Sequence, residues 1–174
     1  LFVLKSQNVA IGSWFSLLPY NGTAMVADAG NLVYAANGTS VYSYNKTDNS
    51  FGRLSTAAGF SDIGIRNINY DKNNATLVIA YTNSNLDFLF GDEIFNYPFV
   101  QSSAISGDKN IYNATFYGDT VMLSCGFGLV LFDISKRESP ATCFFSDTVG
   151  ASMKVNQTTV YNNAFYAATV GGLY

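Results

Sequence analysis

The sequence predicts an all-β protein built from one sheet-forming unit repeated along the chain, and three observations predict it. First, four apolar segments recur: Leu32-Val33-Tyr34-Ala35-Ala36, Leu77-Val78-Ile79-Ala80-Tyr81, Met122-Leu123-Ser124-Cys125 and Phe165-Tyr166-Ala167-Ala168. Aligned on Ala35, Ala80, Ser124 and Ala167, they lie 45, 44 and 43 residues apart, a period that belongs to propeller blades or paired-helix repeats. Second, each unit is rich in Val, Ile, Tyr, Phe and Thr and is broken every few residues by Gly, Asn or Asp. No stretch carries apolar residues at helical spacing for the length a solenoid helix needs, so the repeat is β. Third, the recurring segment is apolar on both sides, which a strand needs only where both faces of its sheet are covered. Four-stranded sheets stacked face to face around an axis are a β-propeller.

The elements follow in order. Leu1–Leu4 reads either as the tail of a secretory signal's apolar stretch or as a short edge strand, so residues 1–10 are set apart from the propeller at 11–174. Blades are expected near residues 20–55, 60–105, 108–146 and 150–174. Within a blade a first strand, such as Ile65–Tyr70 or Tyr112–Tyr117, enters a tight turn: Asp71-Lys72-Asn73-Asn74, Gly118-Asp119 or Asn162-Asn163. These residue types tolerate the positive φ that hairpin turns demand. The apolar second strand follows, with its small residue buried where neighbouring blades converge. A third strand is expected at Ser40–Tyr44, Leu86–Phe90 and Leu129–Asp133, and an outer strand at Phe51–Leu54, Phe99–Ile105 and Ala141–Phe145. The fourth unit stops inside its third strand, at Gly171-Gly172-Leu173-Tyr174. Propellers close with about four to eight blades. Three and a half to four blades therefore read as a fragment of a larger ring, whose open edges and blade faces favour self-association or a partner chain.

Composition narrows function. The 174 residues carry a net charge of −3 with nine Lys plus Arg, too few for a nucleic-acid-binding patch. There is no histidine, which removes Ser-His-Asp and Cys-His catalysis and every His-containing zinc site. Paired-carboxylate glycan chemistry needs acids converging at one place, and the only glutamates are Glu93 and Glu138. No apolar run approaches the roughly 20 residues of a membrane span. The expectation is a non-enzymatic binding or structural module with no metal and no cofactor.

Candidate binding residues are Asn83, Asn85 and Asp87 in Asn83-Ser84-Asn85-Leu86-Asp87, and the pair Asp108 and Lys109 beside Gly107. The first group either binds glycan hydroxyls through amide and carboxylate groups at a propeller mouth or caps its own turns. The second is either a contact for an acidic sugar or an exposed turn pair. Asp28, Asp62 and Asp133 recur near strand ends without the dense spacing of a calcium loop. Six N-x-T triplets begin at Asn21, Asn37, Asn45, Asn74, Asn113 and Asn156; they are glycan acceptors in a eukaryotic secreted protein and Asn-rich turns in a bacterial one. Cys125 and Cys143 are expected as buried free thiols on a central and an outer strand, out of each other's reach for a disulfide.

The segment Leu54-Ser55-Thr56-Ala57-Ala58-Gly59-Phe60-Ser61-Asp62-Ile63-Gly64-Ile65 resembles the punctuation of two-component-regulator-type propellers. Tyr34-Ala35-Ala36 with Gly38 to Tyr44, and Tyr166-Ala167-Ala168 with Gly171 to Tyr174, are similar to that group's Y-A-A-T-x-x-G-L-Y unit. Ile11 to Trp14, Leu77 to Leu89, Gly107 to Lys109, Ile111 to Asn113 and Leu123 to Asp133 together resemble the PorZ family of type IX secretion proteins of Bacteroidetes, in the same order and at similar spacing. Phe15 to Leu18 depart where that family tends to carry charged and histidine residues, and Cys143-Phe144-Phe145 replaces a more polar stretch. The resemblance implies a seven-bladed amino-terminal propeller in a longer protein, secreted across the inner membrane to the periplasm or the outer-membrane cell surface. It further implies sortase-like and outer-membrane partners in an attachment complex, to which anionic lipopolysaccharide is delivered for anchoring secreted proteins. The alternative it leaves is a glycan-sensing periplasmic propeller of a hybrid two-component system.

Overall fold

The computed structural model describes residues 21–174; the reading of Leu1–Leu4 and the Ile11–Trp14 segment lie outside the described residues. Four antiparallel meanders follow one another. The first sheet is β1 (Met25–Ala29), β2 (Leu32–Ala36), β3 (Val41–Asn45) and β4 (Phe51–Leu54). The second is β5 (Ile65–Asp71), β6 (Thr76–Tyr81), β7 (Leu86–Phe90) and β8 (Glu93–Asn96). The third is β9 (Ile111–Tyr117), β10 (Thr120–Cys125), β11 (Gly128–Asp133) and β12 (Glu138–Phe144). The fourth is β13 (Val155–Tyr161), β14 (Ala164–Thr169) and the short β15 (Gly172–Leu173). The first strands pack in succession, β1 on β5, β5 on β9 and β9 on β13. The sheets form an open arc of propeller blades rather than a closed ring.

Period-two alternation explains why the second strands are apolar throughout. Leu77, Ile79 and Tyr81 of β6 enter the core shared with the first sheet, beside Tyr34, Ala36 and Val41. Val78 and Ala80, on the other face, enter the core shared with the third sheet, beside Val121, Leu123, Cys125 and Phe132. One strand serves two cores.

The register corrects the repeat alignment. Ala36 lies opposite Met25 and Val41, Ala80 opposite Asn67 and Leu86, Ser124 opposite Asn113 and Leu129, and Ala168 opposite Gln157 and Leu173. These four residues are the equivalent set, and they stand 44 residues apart at every step. Ala35 and Ala167 are buried as expected, but each is the neighbour that points to the opposite face. In the fourth sheet the true equivalent, Ala168, is exposed.

Two further expectations change. The outer strand of the second sheet is Glu93–Asn96, not Phe99–Ile105. A two-residue turn with Gly91 at φ +60 sends the chain straight back along β7, pairing Phe90 with Glu93. Pro98, with no N–H to give a ladder, then diverts it into a short helix, α1 (Phe99–Ser102). Cys143 is free and sits on the outer strand β12 as expected, but it is exposed, because an outermost strand is the least covered of its sheet. Cys125 is free and buried on β10.

Candidate functional site

In a meander the loop between second and third strands and the connection to the next sheet emerge at the same end. Both groups of candidate residues therefore fall on one face of the arc. Asp62, in the connection after the first sheet, accepts from Asn83 Nδ2 and Asn85 Nδ2, each at 2.8 Å. Asp87 is buried and accepts from Ser61 N–H at 2.7 Å, Tyr81 Oη at 2.6 Å and Asn96 Nδ2 at 2.9 Å. Burial, and then the bond to Asp87, push the Tyr81 hydroxyl far above its usual range. Asn83 reaches the surface while Asn85 and Asp87 lie inside, so this group ties two loops to β7 and presents one amide outward.

The second group lies beside the β10–β11 turn. Asp108 accepts from Asn110 N–H at 2.9 Å, Asn110 Nδ2 at 2.7 Å and Tyr112 Oη at 2.5 Å. Partial burial pulls its carboxyl up, but these donors outweigh it and the net shift is downward. A Cβ at Gly126 would come within 2.4 Å of the Asp108 carboxylate and carbonyl oxygen, so the close approach of the two loops needs glycine there. Lys109 Nζ donates to the carbonyl oxygens of Gln101 and Ser103 at 3.1 and 2.6 Å, bracing the segment that follows α1.

Three residues not singled out from the sequence join this face. Tyr112 of β9 carries Lys154 Nζ 3.5 Å from its ring centroid and Arg66 Cζ at 5.7 Å. Arg66 and Tyr112 are each the second residue of a first strand, and Lys154 immediately precedes β13, so the repeat itself brings them together at the inner rim. The ion pairs among the described residues join Asp28 to Lys46 and Lys72, and Asp133 to Lys136; neither Arg66 nor Lys154 is among them. Below this cluster the first strands are stitched across blades. Asn67 Nδ2 donates to Tyr112 O at 2.9 Å, Ala114 N–H to Asn69 Oδ1 at 3.3 Å, and Thr115 Oγ1 to Thr158 O at 2.8 Å.

The remaining chemistry is quiet. Burial pushes the Cys125 thiol up to about 12, which leaves it protonated and unreactive. Among the described residues no group of acidic or cysteine side chains is placed to hold a metal ion, and no helix is long and apolar enough to cross a membrane.

The sequence model of the PorZ N-terminal β-propeller domain, from the type 9 secretion system, matches residues 33–174. The chain belongs to this family. Among solved structures, PorZ of Porphyromonas gingivalis, a bacterial surface component of the type-IX secretion system, superposes with a TM-score of 0.80 at 24% identity. That match covers 92% of this chain and 21% of the other, so the chain spans about a fifth of the length of that protein. The extracellular domain of a hybrid two-component system from B. thetaiotaomicron matches with a TM-score of 0.69 at 15% identity, over 90% of this chain and 21% of that one. The computationally designed Ika4 protein matches with a TM-score of 0.65 at 10% identity, over 91% of this chain and 93% of the design. At these identities the structural likeness shows the propeller fold. No curated protein sequence matches the chain.

Proposed function

We propose that this PorZ-type propeller is a non-enzymatic scaffold of the type IX secretion attachment complex, secreted to the periplasm or cell surface. In this reading it helps deliver anionic lipopolysaccharide to a sortase-like partner that anchors secreted proteins. The observation that carries the reading is the family match across residues 33–174. The inner rim supports it. Arg66 and Lys154 converge on Tyr112, outside the ion pairs of the described residues and with the Asp108 carboxylate on the Tyr112 hydroxyl as the neighbouring anion. Two cations to one carboxylate suit an anionic headgroup. Asp62, Asp87 and Asp108 are meanwhile occupied as acceptors within the protein, which leaves them poorly placed for acid–base work.

The test is copurification of the full-length protein with outer-membrane sortase-like partners, joined to a binding assay with purified anionic lipopolysaccharide. The reading expects partner recovery, and lipopolysaccharide binding weakened by the Arg66→Ala, Lys154→Ala double variant. Consistently empty copurifications would overturn it. The likeness to the B. thetaiotaomicron extracellular domain favours a second reading, a glycan-sensing propeller of a two-component system. A membrane span and kinase domain downstream of residue 174 in the full gene product would decide for that reading.

A further inference from the structure

The outer rim between the second and third sheets holds a groove of about 460 Å³, lined by Tyr97, Pro98, Phe99, Ser102, Phe132, Arg137, Glu138 and Ser139. Its volume lies within the range of small-molecule sites. The floor is aromatic and rigid. Phe132 is fully buried; Phe99 stacks on it at 5.7 Å with an interplanar angle of 7°, and Tyr97 meets it edge-on at 4.8 Å. The wall is polar, and stacking orients its arginine. The Arg137 guanidinium lies over the rings of Phe95 and Phe90, with Cζ 4.0 and 5.2 Å from their centroids. Such stacking fixes the plane of the fork and leaves its N–H edges free to donate.

Three polar groups around this floor have no hydrogen-bond or ion-pair partner among the described residues: the Tyr97 hydroxyl, the Arg137 guanidinium and the Glu138 carboxylate. Ser102 and Ser139 spend their hydroxyl protons on the carbonyls of Pro98 and Leu131, which leaves their lone pairs as acceptors. The wall thus offers a stacked guanidinium donor beside the acceptor oxygens of Glu138, Ser102 and Ser139. Vicinal hydroxyls, each able to donate and accept at once, match that alternation. The apolar face of a pyranose ring matches the aromatic floor. A carboxylate or phosphate ligand would be opposed by Glu138, and a wholly apolar segment would leave Arg137 and Glu138 desolvated and unpaired.

We infer that this groove, separate from the cluster at the inner rim, is a carbohydrate-binding site for a neutral oligosaccharide, with Tyr97 and Phe99 as the stacking platform and Arg137 and Glu138 as the hydroxyl-reading pair. The experiment is amide chemical-shift mapping of the 174-residue chain titrated with maltotriose, cellotriose and mannotriose, with trigalacturonic acid as the acidic comparison. The expected result is that at least one neutral trisaccharide shifts amides within 97–102 and 132–139. Tyr97→Phe should weaken that sugar, and Arg137→Ala should weaken it by about tenfold or more; Arg137→Lys, which keeps the charge and loses the fork, should weaken it too. Lys154→Ala should leave it unchanged, which separates this site from the anionic reading of the inner rim. The inference is overturned if no neutral sugar shifts these amides, if only trigalacturonic acid does, or if the shifts survive both Arg137 substitutions.

Discussion

The seam between the second and third sheets and the seam between the third and fourth share one strand, β10, yet they hold by different means. Toward the second sheet β10 turns Val121, Leu123 and Cys125 into a cluster that also contains Val78, Leu86, Phe88 and Phe132. Phe88 and Phe132 meet edge-on at 4.7 Å, and Tyr97 and Phe99 extend the ring network outward. Toward the fourth sheet the same strand turns Met122 and Ser124, facing a sheet whose buried residues are Val155, Thr158 and Ala167. The hydroxyls of Ser124 and Thr158 are buried there without a hydrogen-bond partner among the described residues. The first of these seams joins two four-stranded sheets and is filled by aromatic volume. The second meets a three-stranded sheet, holds its ring pairs Tyr117–Phe165 and Phe145–Tyr174 away from the buried strand, and is thin and partly polar at its centre. Strand pattern makes a blade, whereas side-chain volume sets how firmly two blades adhere.

The largest test of this contrast is Phe88→Ala. It removes the centre of the richer seam and should cost about 3–5 kcal/mol in chemical denaturation; a loss below about 1 kcal/mol would show that the aromatic network is not what holds these sheets. Next comes one substitution made at two equivalent positions. Ala80→Leu should overpack the covered face and cost about 1–3 kcal/mol, while Ala168→Leu, on an exposed face, should stay within about 0.5 kcal/mol. Equal costs would show that the face carrying Ala168 is covered as the face carrying Ala80 is.

Thr158→Val should be neutral or stabilise by up to about 1 kcal/mol, since it exchanges an orphaned buried hydroxyl for a methyl of the same shape. A clear loss of stability would reveal a partner for that hydroxyl. The smallest effect concerns the link between the first two sheets. Bonds from Lys72 and then Lys46 lower the Asp28 carboxyl to about 2. A depressed folded-state value means the contribution is present above the unfolded value of 3.8 and fades as pH falls toward about 2. Asp28→Asn should therefore lower stability slightly above about pH 4, the carboxylate being solvent-exposed, and converge with the parent as pH falls toward about 2, as urea denaturation across that pH range would show.

Much of this was legible in the residues. The turns at Gly118-Asp119 and Asn162-Asn163, and the strand Leu86–Phe90, stand where the pattern put them, because a tight turn and a period-two run are local properties. The candidate loops were legible as polar punctuation, but their partners were not. Nothing in the sequence near Asn83 and Asn85 announces that Asp62 will bind both, or that Asp87 will be buried under Tyr81. The helix at Phe99–Ser102 was missed because an apolar aromatic run after a proline reads equally well as a strand.

The sequence by itself determined the repeated meander, its order of strands and its double-sided second strands, since each follows from hydrogen-bonding geometry and residue preference over a few neighbours. The tertiary structure alone decided which of two adjacent small residues faces which blade. A one-residue difference exchanges the two faces of a strand, and only the packed neighbours distinguish them. It also decided that Arg66, Tyr112 and Lys154 would share one ring, and that Arg137 would lie flat on Phe95. Those contacts join positions from different blades, and no local rule reaches from one blade to the next.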